Sequence, residues 1–278
     1  MIKSVLLAIK FAPLLLVYAA FLVFNHEFVN PLLAAWWSSH EASQGLLIVP
    51  VAIFLTFRQL DRRQDFRLQP SFASVTMFVI AIAGMHLGRL VNIQLVEFST
   101  IVVAFILIPL ALYGVRAQEH GGAKESYFPA LYGLLALPVW DFSNDLFQLG
   151  SLKATELLLG WSPIPHYVEG FRIELASGVF VVDAGCSGLR YMVSAVAISL
   201  LYAYLYFSTL RARLVCVGSL LMLALLGNWL RIILIVIIGY STDMQSPLVN
   251  DHATFGWVIF AIMLAGWMIF MNKYEQPE

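Results

Sequence analysis

The chain has 278 residues, of which 60% are hydrophobic and only 12% charged. A soluble domain carries about 25% charged residues, so this composition, with a mean hydropathy of +0.83, describes an all-α polytopic membrane protein. The net charge of −1, with no basic or acidic tail, gives no basis for binding nucleic acid, and two cysteines, Cys186 and Cys216, exclude a disulfide framework.

About 20 apolar residues cross a bilayer core. By that measure the expected spans are Val5–Phe24, Gly45–Phe57, Phe72–Val91, Phe98–Val115, Tyr127–Trp140, Tyr191–Phe207, Leu214–Tyr240 and Phe255–Phe270, eight in all. The run after Lys10 reaches Phe24 without a small-residue cleavage site, so it reads as a retained span rather than a signal peptide. Basic residues set the orientation. Lys3, Lys10, Arg58, Arg62, Arg63, Arg67, Arg116, Lys124, Arg211, Arg213 and Lys273 all fall on one side, while the opposite loops hold only Lys153 and Arg172. Both termini are therefore expected in the cytoplasm. No internal repeat or linker divides the chain, which reads as a single membrane domain over 1–278.

The longest extracytoplasmic stretch is 141–185. Asp145–Gly160 reads as an amphipathic helix lying at the interface. Two prolines keep Trp161–Pro165 non-helical. Phe171–Leu175 and Val179–Asp183 then flank Ala-Ser-Gly as a short hairpin. That hairpin delivers the chain to Gly185-Cys186 at the outer membrane boundary, where the sixth span begins.

A thiol at a helix start meets outward-pointing N–H groups and the positive end of the macrodipole, which lowers its pKa and enriches the reactive thiolate. The alternative for Cys186 is a small buried hydrophobe, so partners decide. The seventh span carries Asn228-Trp229-Leu230-Arg231. Asn228 and Arg231 share a helix face, and an arginine inside a span marks a functional site unless carbonyls or an acid simply satisfy it. The eighth span opens with Asn250-Asp251-His252, at the level expected for Cys186. A thiolate attacks carbonyls, an imidazole moves protons and a fixed cation stabilises an oxyanion. Cys186, His252 and Arg231 are the candidates for those roles, all within the helices of 186–271. Asp183 and Asp251 either orient His252 or cap helix starts. His26, His40, His120 and His166 read as structural, and Cys216 as a buried structural thiol. No cluster of ligating residues has metal spacing, so no metal or other cofactor is expected.

The motifs Ala184-Gly185-Cys186-Ser187-Gly188-Leu189-Arg190, Asn228-x-x-Arg231 and His252-x-x-x-Gly256 resemble those of the exosortases and archaeosortases, multi-span cysteine sorting enzymes. Ser39-His40-Glu41 through Gln44-Gly45 and Pro50, Phe128-Pro129, and Gly170-x-x-Ile173 extend the resemblance over most of the chain. Two positions depart from it: Gln44-Gly45 stands where His-Gly is common, and Tyr191 where a small residue is usual. The resemblance implies that Cys186, Arg231 and His252 are catalytic; beside them, Arg190, Asn228, Ser187 and Asp251 are the candidates for supporting or substrate-binding roles. The implied substrates are exported proteins ending in a Pro-Glu-Pro motif, a transmembrane helix and a basic tail. Cleavage through a cysteine acyl-enzyme would hand them to water or to a lipid or glycan acceptor, on the outer face of the bacterial inner membrane and among its lipids. Arg190, one turn after Cys186, is the candidate for the motif's carboxylate, against the alternative of a snorkelling interfacial arginine. The competing reading of the whole chain is a transporter or an exopolysaccharide export or assembly component without peptidase activity.

Overall fold

A computed structural model describes residues 2–38, 43–63, 68–113 and 127–274; the expectations for His40, His120, Arg67, Arg116 and Lys124 lie outside them. Contacts gather the chain into two compact units, 1–139 and 140–278.

In the first unit, helix α1 (Ile2–Phe24) meets α2 (His26–Ser38) at a bend of 90°. Asn25 makes the corner, donating its amide to the Phe21 carbonyl at 2.9 Å. Helix α3 (Gly45–Arg63) follows, and α4 (Phe72–Leu90) and α5 (Gln94–Tyr113) form a close pair. The approach is tight at their joint, where a Cβ on Gly88 would lie 2.6 Å from the Glu97 nitrogen. An apolar cavity of about 320 Å³ lies among Phe21, Leu32, Trp36, Val49, Ile101 and Phe105. The expected span Tyr127–Trp140 is not one helix: α6 covers only Phe128–Gly133, a 3₁₀ turn runs over Leu134–Ala136, and Pro138 follows. Among the described residues, five helices are long and apolar enough to cross a membrane, or six if the bent pair α1–α2 counts as one. The apolar part of α3, Gly45–Gln59, is shorter than those.

The second unit starts with α7 (Asn144–Gly160), one residue longer than the sequence pattern suggested. A three-stranded antiparallel sheet follows, ordered β1 (His166–Glu169), β2 (Arg172–Leu175), β3 (Gly178–Val181). β2 and β3 are the expected hairpin, in the register Ile173 opposite Phe180. β1 was not expected, and it joins β2 through a two-residue turn at Gly170-Phe171. Three long helices complete the unit: α8 (Leu189–Tyr206), α9 (Leu210–Ser241) and α11 (His252–Met271), the last preceded by the one-turn α10 (Pro247–Asn250). At 1.5 Å per residue, the 32 residues of α9 reach about 48 Å, well beyond a hydrocarbon core of about 30 Å.

Two cores hold this unit. Tyr202, Leu220, Phe260 and Trp267 form the first among the helices, fixed by the Trp267 indole N–H donating to Ser219 Oγ at 2.9 Å. Cys216 is buried there, its thiol 3.7 Å from the Ser199 carbonyl. Leu159, Ile173, Phe180, Val182, Ile232 and Ile235 form the second, under the sheet, and Cys186 belongs to it. The two thiols are free and lie in separate cores.

Candidate active site

Local hydrogen bonds build the approach to Cys186. The Val182 N–H donates to the Phe171 carbonyl at 2.9 Å. The Val182 carbonyl accepts from Gln148 Nε2 of α7 at 2.6 Å. Asp183, extended, caps the next turn: its Oδ1 accepts the Cys186 N–H at 3.0 Å. Ala184–Cys186 make a single 3₁₀ turn, and α8 starts only at Leu189. Gly188 at the joint has φ +85°, and a Cβ there would sit 2.6 Å from Asn228 Cγ. Glycine is thus demanded both by the backbone and by the close approach.

Asn228 and Ser151 clamp this turn from two helices. Asn228 Nδ2 donates to the Cys186 carbonyl at 3.1 Å and to Ser151 Oγ at 2.9 Å. Ser151 Oγ in turn donates to the Ser187 carbonyl at 3.0 Å, and Ser187 Oγ accepts the Leu189 N–H at 3.2 Å. Ser187 is therefore buried as part of the turn. Ser151 carries no sequence signal of its own: it is one serine on an amphipathic helix, and only the fold sets it against Asn228.

Arg231 lies three residues beyond Asn228 and is 2% exposed. Nη1 donates to the Tyr191 hydroxyl at 3.0 Å and Nη2 to the Gly185 carbonyl at 3.3 Å. Its Nε, like Asn228 Oδ1, is buried without a hydrogen-bond partner. Gly256 packs against this pair, since a Cβ there would collide with the Tyr191 hydroxyl and come within 2.5 Å of Arg231 Cδ. Tyr191, where a small residue was expected from the resemblance, is what gives the guanidinium an acceptor. Arg190 lies with its guanidinium carbon 5.8 Å from the centre of the Trp257 ring, a cation–π arrangement.

His252 opens α11 one turn before Gly256. Its Nδ1 is 3.3 Å from the Val249 carbonyl; a carbonyl only accepts, so Nδ1 carries the proton and Nε2 is the basic nitrogen. Asp251 caps α11, its Oδ1 accepting the Thr254 N–H at 3.2 Å. A carboxylate oxygen of Asp183, Cys186 Sγ and a ring nitrogen of His252 all lie within 4.8 Å of one another. Cys186, His252 and Arg231 are thus brought together, and Asp183 joins them. Of the histidines read as structural, His26 and His166 are described, and each has Nδ1 3.0 Å from a nearby carbonyl.

The thiol's charge state departs from the sequence expectation. Cys186 is 1% exposed, and burial, the largest influence, pushes its pKa from 9.0 up to about 11. The Arg231 charge pulls it down, the Asp183 charge and side-chain hydrogen bond push it further up, and a backbone hydrogen bond at Asp183 works weakly the other way. A lowered value was expected from a helix start, but the first turn of α8 begins three residues later and the core encloses the sulfur. Desolvation therefore wins. Asp183, Cys186 and His252 are also donor types that ligate metals: the first two stand three residues apart, and the fold brings the distant His252 to them. The positive charge of Arg231 acting on the same thiol disfavours a divalent cation between them.

Fold and site together define a helical, multi-pass membrane protein organised around a buried cysteine. Its sequence matches the model of the transmembrane exosortases (Exosortase_EpsH) over residues 36–269, through both compact units, and the chain belongs to that family. No curated protein and no solved structure matches it at a significant level. Membership implies a sorting role of the cysteine peptidase or transpeptidase kind.

Proposed function

We propose that this protein is a membrane cysteine peptidase or transpeptidase that cleaves C-terminal sorting signals of exported proteins at the outer face of the bacterial inner membrane. The topology belonging to this reading has both termini inside, which follows the Lys/Arg bias of the loops. The observation that carries it is the Cys186 thiol with a His252 ring nitrogen inside the same 4.8 Å cluster, in a chain of the exosortase family.

Because burial pushes the thiol's pKa up to about 11, the thiolate is scarce at pH 7. A base must act as the bond forms. As Cys186 Sγ attacks the scissile carbonyl, its proton passes to His252, and the fixed charge of Arg231 offsets the anion that develops. The imidazolium then protonates the departing amine and a thioester remains. Water, or an amine or hydroxyl of a lipid or glycan, attacks that thioester while His252 takes its proton, and the thiol is restored. Arg190 is the proposed partner for a substrate carboxylate such as that of a Pro-Glu-Pro motif.

The test is co-expression with a tagged reporter ending in such a signal, followed by its shortened product on a gel. Wild type shortens it. Cys186→Ala abolishes the product and His252→Ala lowers it by at least about a hundredfold, the lower range of general acid–base effects. Shortening that survives Cys186→Ala removes the peptidase reading and leaves the transport or assembly role.

A further inference from the structure

The reaction just described gives Asp183 no part beyond capping a turn, yet its carboxylate stands inside the cluster. Three observations bear on what it does there. Asp183 is exposed, but its Oδ1 accepts the Cys186 N–H at 3.0 Å, which holds the carboxylate beside the sulfur. A carboxylate oxygen lies within 4.8 Å of both the sulfur and a His252 ring nitrogen. The base itself has no other described acid as a partner: the Oδ1 of neighbouring Asp251 is engaged with the Thr254 N–H, and Nδ1 of His252 faces a neutral carbonyl.

We infer that Asp183 is the residue that sets the charge balance of the thiol–imidazole pair: it holds the cysteine protonated at rest and becomes the counterion of His252 once the proton has moved. The physical argument is one of sign. A carboxylate next to a thiol opposes thiolate formation, and a carboxylate next to an imidazole favours imidazolium. Proton transfer from Cys186 to His252 exchanges a neutral pair for a thiolate and an imidazolium. Arg231 from α9, anchored to Tyr191 of α8 and to the Gly185 carbonyl, faces the thiolate. Asp183 from the loop faces the imidazolium. Four charges of alternating sign then replace one carboxylate and one guanidinium, with no net change. The upward push of Asp183 on the resting thiol agrees with this arrangement. Asp183 acts through the pair, so it is a positioning residue.

This role rests on the peptidase reading, but one of its consequences does not. Asp183→Asn keeps an oxygen for the Cys186 N–H, so the cap survives, while the charge is removed. Two effects of opposite direction are expected from that one substitution. Alkylation of Cys186 by iodoacetamide at pH 8 becomes faster, by about threefold for each unit the thiol's pKa falls, since the gain in thiolate outweighs its lower nucleophilicity. Reporter shortening falls by more than about tenfold, because the imidazolium has lost its counterion. Asp183→Glu restores part of the shortening. A purely structural Asp183 gives a different pattern, in which alkylation and shortening move together with the amount of folded protein in the membrane. Alkylation that is unchanged or slowed in Asp183→Asn overturns the inference, as does full shortening by that variant. Should wild type itself leave the reporter intact, the peptidase reading falls, and the alkylation arm still decides what Asp183 does to the thiol.

Discussion

Arg89 and Arg231 both sit on apolar helices, one in each compact unit, and their surroundings differ in kind. Arg89 occupies the last turn of α4, with its side chain 41% exposed. It meets acids on two sides, Glu27 at 3.5 Å and Glu97 at 3.8 Å, and lies 4.2 Å over the Phe28 ring. A cation at a helix C-terminus also suits the macrodipole. Arg231 stands ten residues inside the end of α9, buried, held by a phenol hydroxyl and a carbonyl, with Nε unpaired. None of its hydrogen-bond partners carries a charge. Neutralised at the periphery, Arg89 has nothing left to offer a reaction. Arg231 keeps its whole charge beside a thiol, at a cost that insertion scales place near 2.5–3.5 kcal/mol for an arginine at a span's centre. A charge that is costly and hydrogen-bonded only to neutral groups is expected where an anion forms later.

The sharpest way to break this contrast is to remove the buried charge. Arg231→Gln is expected to lower reporter processing by about a hundredfold to a thousandfold, the range for losing one fixed donor to a developing oxyanion. Arg231→Lys keeps the charge but loses the planar fork that spans Tyr191 and Gly185, so it falls between Gln and wild type. Equal loss in Gln and Lys, measured at equal protein level, would point to packing rather than charge.

A smaller effect is expected at Gly256, where the last helix closes on the same group. A methyl there must push Tyr191 or Arg231 aside, and overpacking of this kind costs about 1–3 kcal/mol. Gly256→Ala should unfold at lower temperature in detergent and process the reporter about tenfold more slowly. Tyr191→Phe removes the hydroxyl in the way, so in the double variant part of the stability returns; the two changes share a contact and do not add. Strict additivity in thermal melts would dissolve the link between α8 and α11.

Much of the second unit was visible in the residue pattern. Paired glycines around Cys186, the polar pair Asn228 and Arg231 in an apolar run, and His252 at a helix start mark groups that an apolar helix does not carry without reason. For Asp183 the sequence offered two readings, a cap or a partner of His252, and its spacing alone does not choose between them. Ser151 and β1 were not legible at all. β1 follows Pro165 and offers only four residues, and its strand character comes from pairing with β2. The first unit misled in one respect: Tyr127–Trp140 is apolar enough to suggest a span, but Pro138 removes a backbone donor and Leu137 before it is extended, at ψ 133°. The direction of the Cys186 shift was also hidden, because the sequence shows a helix start nearby but not how completely the second core encloses the sulfur.

The smallest predicted effect completes the contrast. Arg89→Gln removes two ion pairs whose members are partly exposed, and such pairs contribute about 0–1 kcal/mol each. Processing within about twofold of wild type is expected, with a thermal midpoint lowered by no more than a few degrees. Arg89→Glu should be worse than Gln, because it sets a third negative charge against Glu27 and Glu97 while reversing the match to the end of α4. If Arg89→Gln stops processing while the protein still reaches the membrane and melts normally, exposure and acid partners do not mark an arginine as spent. The division of labour between the two guanidinium groups would then have to be redrawn around Glu97, which is nearly buried beside Arg89 and is the member of that cluster best shielded from solvent.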